Sequence, residues 1–253
     1  MILSTPCPER STMPVFASSL LSLEGFQKAF QYWPMFVDGL LYTVALSFLT
    51  VLFGFILALL VAYCRMTKFR PLNVIATIYV EVLRATPLLV QLFIVYYVLF
   101  DGFKVSAEFR EFFGGIPLER IIPGIAALSL NSAAYLSEII RSGIQSIDLG
   151  QTEAARSLGM SQLQNMRYII LPQAIKNILP AIGNEFVTII KESSICYTIG
   201  IQEIMYAANA VRGSTYRFGE ALIIAACVYF CVTFPTSKII AYFERRMSRG
   251  DKR

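Results

Sequence analysis

A few ionisable residues stand inside otherwise apolar stretches, and they are the first candidates for chemistry. Glu81 and Arg84 lie three residues apart, Glu138 follows a run of small and aliphatic residues, and Glu192 directly follows Lys191. An ionisable group in lipid costs several kcal/mol, so such groups face a bundle interior or a watery cavity. Two roles are open to them: neutralising each other to fix packing, or lining a path for a solute. Bond-making chemistry is poorly provided for. The absence of histidine excludes His-based acid–base work, H-E-x-x-H zinc sites and Ser-His-Asp triads. No G-x-x-x-x-G-K-S/T run occurs, so the chain carries no P-loop of its own. None of the five cysteines forms a C-x-x-C pair, and Cys227 and Cys231, one helical turn apart, read as packing rather than metal ligation.

A second constellation is polar and lies between apolar runs, EAARSLGMSQLQNMRYIILP from Glu153 to Pro172. Asp148 with Gln151, then Ala154 and Ala155, reads as a capped helix start followed by strong helix formers. Gly159 stands where a helix ends in a left-handed residue. Ser161 with Gln164 has capping-box spacing, and Pro172 punctuates the second helix. A helix, a glycine turn and a second helix can be a plain linker, a DNA-reading unit or a docking element. With only Arg156 and Arg167 basic, the positive field is too thin for phosphates, so nucleic acid is not an expected partner.

The elements that hold these residues belong in lipid. Fifty-six per cent of the 253 residues are hydrophobic and 15% are charged, with a mean hydropathy of +0.59. The expected fold is an all-α integral membrane protein of about five transmembrane helices with a cytoplasmic helix-turn-helix loop. Two prolines and Glu9 break any leader-like core near the start, so no cleavable leader is expected. Residues 1–35 read as an extracytoplasmic or interfacial segment, with a short surface helix over 18–30. Residues 36–244 read as the membrane domain, with the polar loop at 148–172, and 245–253 as a basic tail.

The first span runs from Gly39 to Cys64. The second cannot be Ala85 to Phe100 alone, because 16 residues reach only about 24 Å. It therefore starts near Leu72, kinks at Pro87, and aligns Thr77, Glu81, Arg84, Leu88 and Gln91 on one stripe. The third, Ile121 to about Ser142, aligns Asn131, Tyr135 and Glu138. The fourth, Asn177 to about Ile201, aligns Asn184, Thr188 and Lys191, with Glu192 beside them. The fifth covers Ala221 to about Tyr242. Placing the loops after the first, third and fifth spans on one side gathers twelve Lys and Arg there against five opposite. The positive-inside rule then puts the N-terminus outside and the C-terminus in the cytoplasm of a cell-membrane protein.

Five segments carry a resemblance to one family. They are Gly39-Leu40-Leu41-Tyr42-Thr43, LRATPLLVQLF, ALSLNSAAYLSEIIRSGIQSI, IIKESSICYTIG, and the pattern E-A-A, three residues, Gly, nine residues, I-x-L-P. Together they resemble the permeases of binding-protein-dependent ABC importers, in the branch for polar amino acids (histidine, glutamine, glutamate, arginine, opines). Ala85 stands where that branch has glycine, and SAAY replaces its S-A-Y, shifting Ser132 against Glu138 by one residue. The resemblance implies that Glu153, Ala154, Ala155, Gly159, Ile169, Leu171 and Pro172 couple the chain to a cytoplasmic ABC ATPase. It further implies a second permease chain, identical or a paralogue, and an extracytoplasmic solute-binding protein. Glu81, Arg84, Gln91, Asn131, Glu138, Lys191 and Glu192 are the expected solute path. No cofactor is expected in this chain, since ATP and Mg²⁺ belong to the ATPase.

Overall fold

Ser22 opens the first helix by accepting a hydrogen bond from the Gly25 N–H (2.9 Å), as an N-cap residue does. The computed structural model describes residues 21–248, and all their regular structure is helical. The expectations for residues 1–20, including the missing leader and the start of the surface helix, lie outside the described residues, as does the end of the basic tail. Helix α1 covers Leu23–Phe30. Lys28 bonds Glu24 at 2.6 Å and holds that carboxylate below its ordinary range. The Ser22 N–H donates to Glu220 Oε1 (3.2 Å), tying α1 to the other end of the chain.

Helix α2, Trp33–Met66, has 34 residues, about 51 Å of rise against a hydrocarbon core of roughly 30 Å. The expected single second span is instead two helices, α3 (Arg70–Ala85) and α4 (Leu88–Ile94). A π turn, Val95–Leu99, extends α4, and the chain bends by 113° between the two. The residue before a proline is driven out of the helical region. Thr86 (ψ 146°) and Pro87 (ψ 134°) are both extended, so the helix stops and restarts rather than kinking. The expected stripe is broken there: Leu88 and Gln91 belong to a different helix from Glu81 and Arg84.

The loop after α4 contains a short helix, α5 (Ala107–Phe112), capped by the Ser106 hydroxyl. Helix α6, Leu118–Gln145, carries Pro123 within it. After α7 (Leu149–Ser157) and α8 (Gln162–Asn165), a π turn over Met166–Ile170 leads into α9, Leu171–Glu192. Pro172 thus lies in the first turn of α9 and closes no helix. The π turn widens the backbone where the proline ring would otherwise press on a carbonyl of the preceding turn. A 3₁₀ turn, Ser193–Ile199, ends at Gly200 (φ +82°). Helices α10 (Ile204–Thr215) and α11 (Phe218–Ser248) complete the chain.

By length and apolarity only α2 and α11 qualify as spans among the described residues, and α3 with α4 makes a third if counted as one. Helices α6 and α9 fall short because their polar stripes lower their hydropathy, so apolarity alone does not give five. The core is nevertheless shared by all of them. Leu46, Leu92, Leu128 and Ile199 pack together, as do Ala58, Leu136, Ala174 and Ile178 nearer the polar loop. Phe36, Ile204, Val211 and Ala225 join α2, α10 and α11.

Candidate functional site

The polar loop is built almost entirely from local hydrogen bonds. The Asp148 carboxylate accepts from the Gly150 N–H (2.6 Å) and starts α7. At its end Gly159 takes φ +78°, its N–H donates to Arg156 O (2.9 Å), and the Met160 N–H donates to Ala155 O (3.1 Å). Those two bonds define the Schellman ending that glycine favours. The Ser161 hydroxyl accepts from the Gln164 N–H (3.3 Å) while Gln164 Oε1 accepts from the Ser161 N–H (2.8 Å), closing a capping box. Asn165 Nδ2 donates to Thr152 Oγ1 (3.2 Å) and holds the two helices against each other.

Few of the motif's side chains are used for packing. Ala155 is buried, whereas Glu153 and Ala154 are exposed on α7. Ile169 is half-buried in the π turn, and Leu171 and Pro172 are exposed at the start of α9. Around them Leu149, Leu158 and Leu163 are 78%, 82% and 77% exposed. Large apolar side chains that open on a segment too polar for lipid make a surface suited to a protein partner. The root of the loop is fixed where Asn177 Nδ2 donates to Ser146 Oγ (3.1 Å), joining α6 to α9.

The path candidates do not form one stripe. Glu138 is paired with both Arg65 and Arg141, and Arg141 also donates to Gln145 Oε1 (2.9 Å). Asn73 Nδ2 donates to the Arg65 carbonyl, so α2, α3 and α6 meet at this cluster. Gln91 and Asn131 are brought together, with Asn131 Nδ2 donating to Gln91 Oε1 (2.9 Å). Both also serve the break between α3 and α4. Gln91 Nε2 donates to Leu83 O (2.7 Å), Thr86 O (3.0 Å) and Thr86 Oγ1 (2.8 Å), meeting carbonyls that the interrupted helix leaves over. Arg84 lies over the Tyr135 ring at 5.4 Å, and among the described residues no ion pair links it to Glu81.

Lys191 is exposed at the end of α9 and Glu192 is half-buried. Lys191 opens on a cavity of about 480 Å³ shared with Ser194, Tyr197, Tyr229 and Thr233. Tyr229 is held by donating to Glu203 Oε2 (2.6 Å), and Glu203 caps α10 through the Met205 and Tyr206 N–H groups (2.9 Å each). An ammonium beside hydroxyls in such a space can take up a carboxylate. Sequence reasoning passed over Tyr197, Glu203 and Tyr229. The one cue was an acid placed three residues before Tyr206, the spacing of an N-cap. Among the described residues no group of three His, Cys, Asp or Glu side chains could hold a metal ion.

Comparison with known proteins places this architecture. The signature of the binding-protein-dependent transport system inner membrane component matches residues 50–249. A nopaline transport system permease protein of Agrobacterium fabrum is 40% identical over 223 residues, covering 86% of this chain and 90% of that one. An arginine transport system permease protein of Bacillus subtilis is 39% identical over 218 residues, covering 86% and 94%. The crystal structure of an amino acid ABC transporter with histidines superposes with a TM-score of 0.76 at 44% identity, covering 87% of this chain and 98% of that one. An all-helical chain with membrane-length apolar helices, matched over most of its length in this way, belongs to the family of inner-membrane permease components of binding-protein-dependent ABC transport systems.

Proposed function

We propose that the chain is the permease of an importer for polar amino acids or their opine conjugates, driven by ATP hydrolysis on a separate subunit. The observation that carries the reading is the loop from Asp148 to Pro172. It is locally self-supporting, shows Leu158 and Leu163 to solvent, and holds the Glu153 to Gly159 motif on its outer helix. A cytoplasmic ABC ATPase docks there, bringing its own ATP and Mg²⁺. Five spans follow from counting α2, the bent pair α3–α4, α6, α9 and α11. The N-terminus lies outside and the C-terminus in the cytoplasm, a reading that the distribution of basic residues supports. Residues 36–244 form the permease domain between the interfacial N-terminal segment and the basic tail.

A second permease chain, identical or paralogous, completes the pore, and an extracytoplasmic binding protein delivers the solute. Nopaline and arginine in the names of the relatives support a substrate that carries both amino and carboxylate groups. Glu81, Arg84 and Tyr135, with Lys191, Glu192 and its cavity, line the route. Glu138, Gln91 and Asn131 border it and hold the bends that shape it. The test is uptake of labelled arginine, glutamine, histidine and nopaline into proteoliposomes that contain the chain with its ATPase and binding protein. Single cysteines at Ala107 and Gln162, both exposed, are labelled in parallel with an impermeant maleimide in intact cells. ATP-dependent uptake of at least one solute, with labelling at Ala107 alone, is expected. Uptake without the ATPase, or outside labelling at Gln162, overturns the reading.

A further inference from the structure

Helices α2, α9 and α11 leave a groove between them that no side chain of the described residues fills. It is about 470 Å³ in volume, and Phe55, Leu179, Phe186 and Ile239 are among the apolar side chains that line it. A second depression of about 260 Å³ shares Leu179, Gly183 and Ile240 with it and continues past Phe243 to Met247. Gly183 forms the floor. A Cβ there would stand 3.0–3.2 Å from three carbons of Ile240, which would have to give by a few tenths of an ångström. From Thr236 to Met247 the groove follows α11 for about 16 Å, roughly half a hydrocarbon core and hence one leaflet deep.

Two features decide what fits it. Asn184, Thr188 and Lys191 lie on the face of α9 opposite Leu179, Gly183 and Phe186. The polar face is the one available to a solute path and a second permease chain, and it leaves the groove to the lipid. The groove also ends in positive charge. Arg246 is exposed and stands seven residues beyond Ile239 on the same stripe of α11.

We propose that this groove is a binding site for one acyl chain of an anionic phospholipid, whose phosphate reaches Arg246. The proposal rests on the membrane-spanning reading above, with the Arg246 end in the cytoplasmic leaflet. A cation near the surface adds about fivefold to the affinity for an anionic headgroup. Selectivity therefore comes from Arg246, and retention comes from the groove.

The full chain, purified with whatever partners accompany it, is exchanged into nanodiscs of equal parts phosphatidylglycerol and phosphatidylcholine. It is then re-extracted, and the lipids that remain bound are quantified by mass spectrometry. Phosphatidylglycerol is expected to be enriched about fivefold over phosphatidylcholine in the wild type. The enrichment should fall toward one in Arg246→Gln, a surface change that leaves the fold alone. Leu179→Trp, which fills the groove, should lower the retention of both lipids. Equal retention of the two lipids by the wild type overturns the proposal, and so does unchanged enrichment in Arg246→Gln. A disulfide between copies through a cysteine at Ile239 would show that a second chain occupies the groove, and it also overturns the proposal. Failure of the spanning reading appears separately, as outside labelling at Gln162.

Discussion

Gly159 gives the most decisive test of the loop, because its backbone requirement can be separated from its contacts. At φ +78° no heavy atom lies within 4 Å of the place a Cβ would occupy. A larger residue therefore meets no neighbour, and its whole cost is conformational. An L-residue other than Asn or Asp loses about 1–2 kcal/mol in the left-handed region, and β-branching in valine adds to that. The alternative is to leave that region and give up the bonds to Arg156 O and Ala155 O, each worth about 1 kcal/mol. Either route lowers the ratio of formed to unformed helix-turn-helix by about 5- to 30-fold in Gly159→Val. Gly159→Asn, which tolerates the conformation, should stay near wild type. The assay is binding-protein-stimulated ATP hydrolysis and uptake in proteoliposomes, with co-purification of the ATPase and the amount of inserted chain as controls. Loss in the valine protein, retention in the asparagine protein and unchanged insertion are expected. Equal, wild-type coupling in both would refute the claim that the left-handed turn shapes the docking surface.

Other residues separate packing from transport. Gln91→Leu removes the donors that meet Leu83 O and Thr86 O, and at about 1–3 kcal/mol for unmet groups it should lower the melting temperature of the detergent-solubilised protein by several degrees; an unchanged melt would mean that the bend holds itself. Glu138→Ala leaves the largely buried Arg65 without its carboxylate partner, so its main effect should be about 1–3 kcal/mol of stability. In Arg65→Met/Glu138→Leu the loss should be partly recovered, and additive losses in that double-mutant cycle would deny the pairing. Lys191→Met should raise the half-saturating solute concentration about tenfold or more while leaving assembly and basal ATP hydrolysis intact, since a charged hydrogen bond is worth about 1.5–3 kcal/mol; unchanged uptake would move the solute away from this cavity.

Local chemistry was the most legible part of the sequence. A glycine after Ser157-Leu158 and the Ser161–Gln164 spacing act over a few residues, and both appear in the structure with their hydrogen bonds. The bend at Thr86–Pro87 was legible only as a position. Its 113° angle depends on Gln91 and Asn131 meeting the freed carbonyls, and Asn131 comes from 40 residues away. The same distance effect dissolved the polar stripes. A helical wheel aligned Glu81 with Gln91 by assuming one continuous helix, and it could not anticipate that Glu138 would turn to Arg65, 73 residues off. Helix α10 went unread because Ile204–Thr215 is neither long enough to cross nor strongly amphipathic, and its start depends on the buried Glu203 cap. The polarity of α6 and α9 keeps both out of any count of spans made on apolarity alone.

The run from α8 through the π turn into α9 has a mechanical consequence. Between Gln162 and Glu192 the chain never leaves helical geometry, so these residues form one continuous helical run with about 46 Å of rise. The Gly159 turn precedes one end of this run and Lys191 lies at the other. A tilt of about 10° over that length would carry the far end through roughly 8 Å, more than one helical turn of rise. The π turn, with its wider ring, is the section of that run where the backbone ladder is loosest, and it lies close to the polar loop. On the docking reading proposed above, a displacement at the loop reaches the walls of the Lys191 cavity along α9.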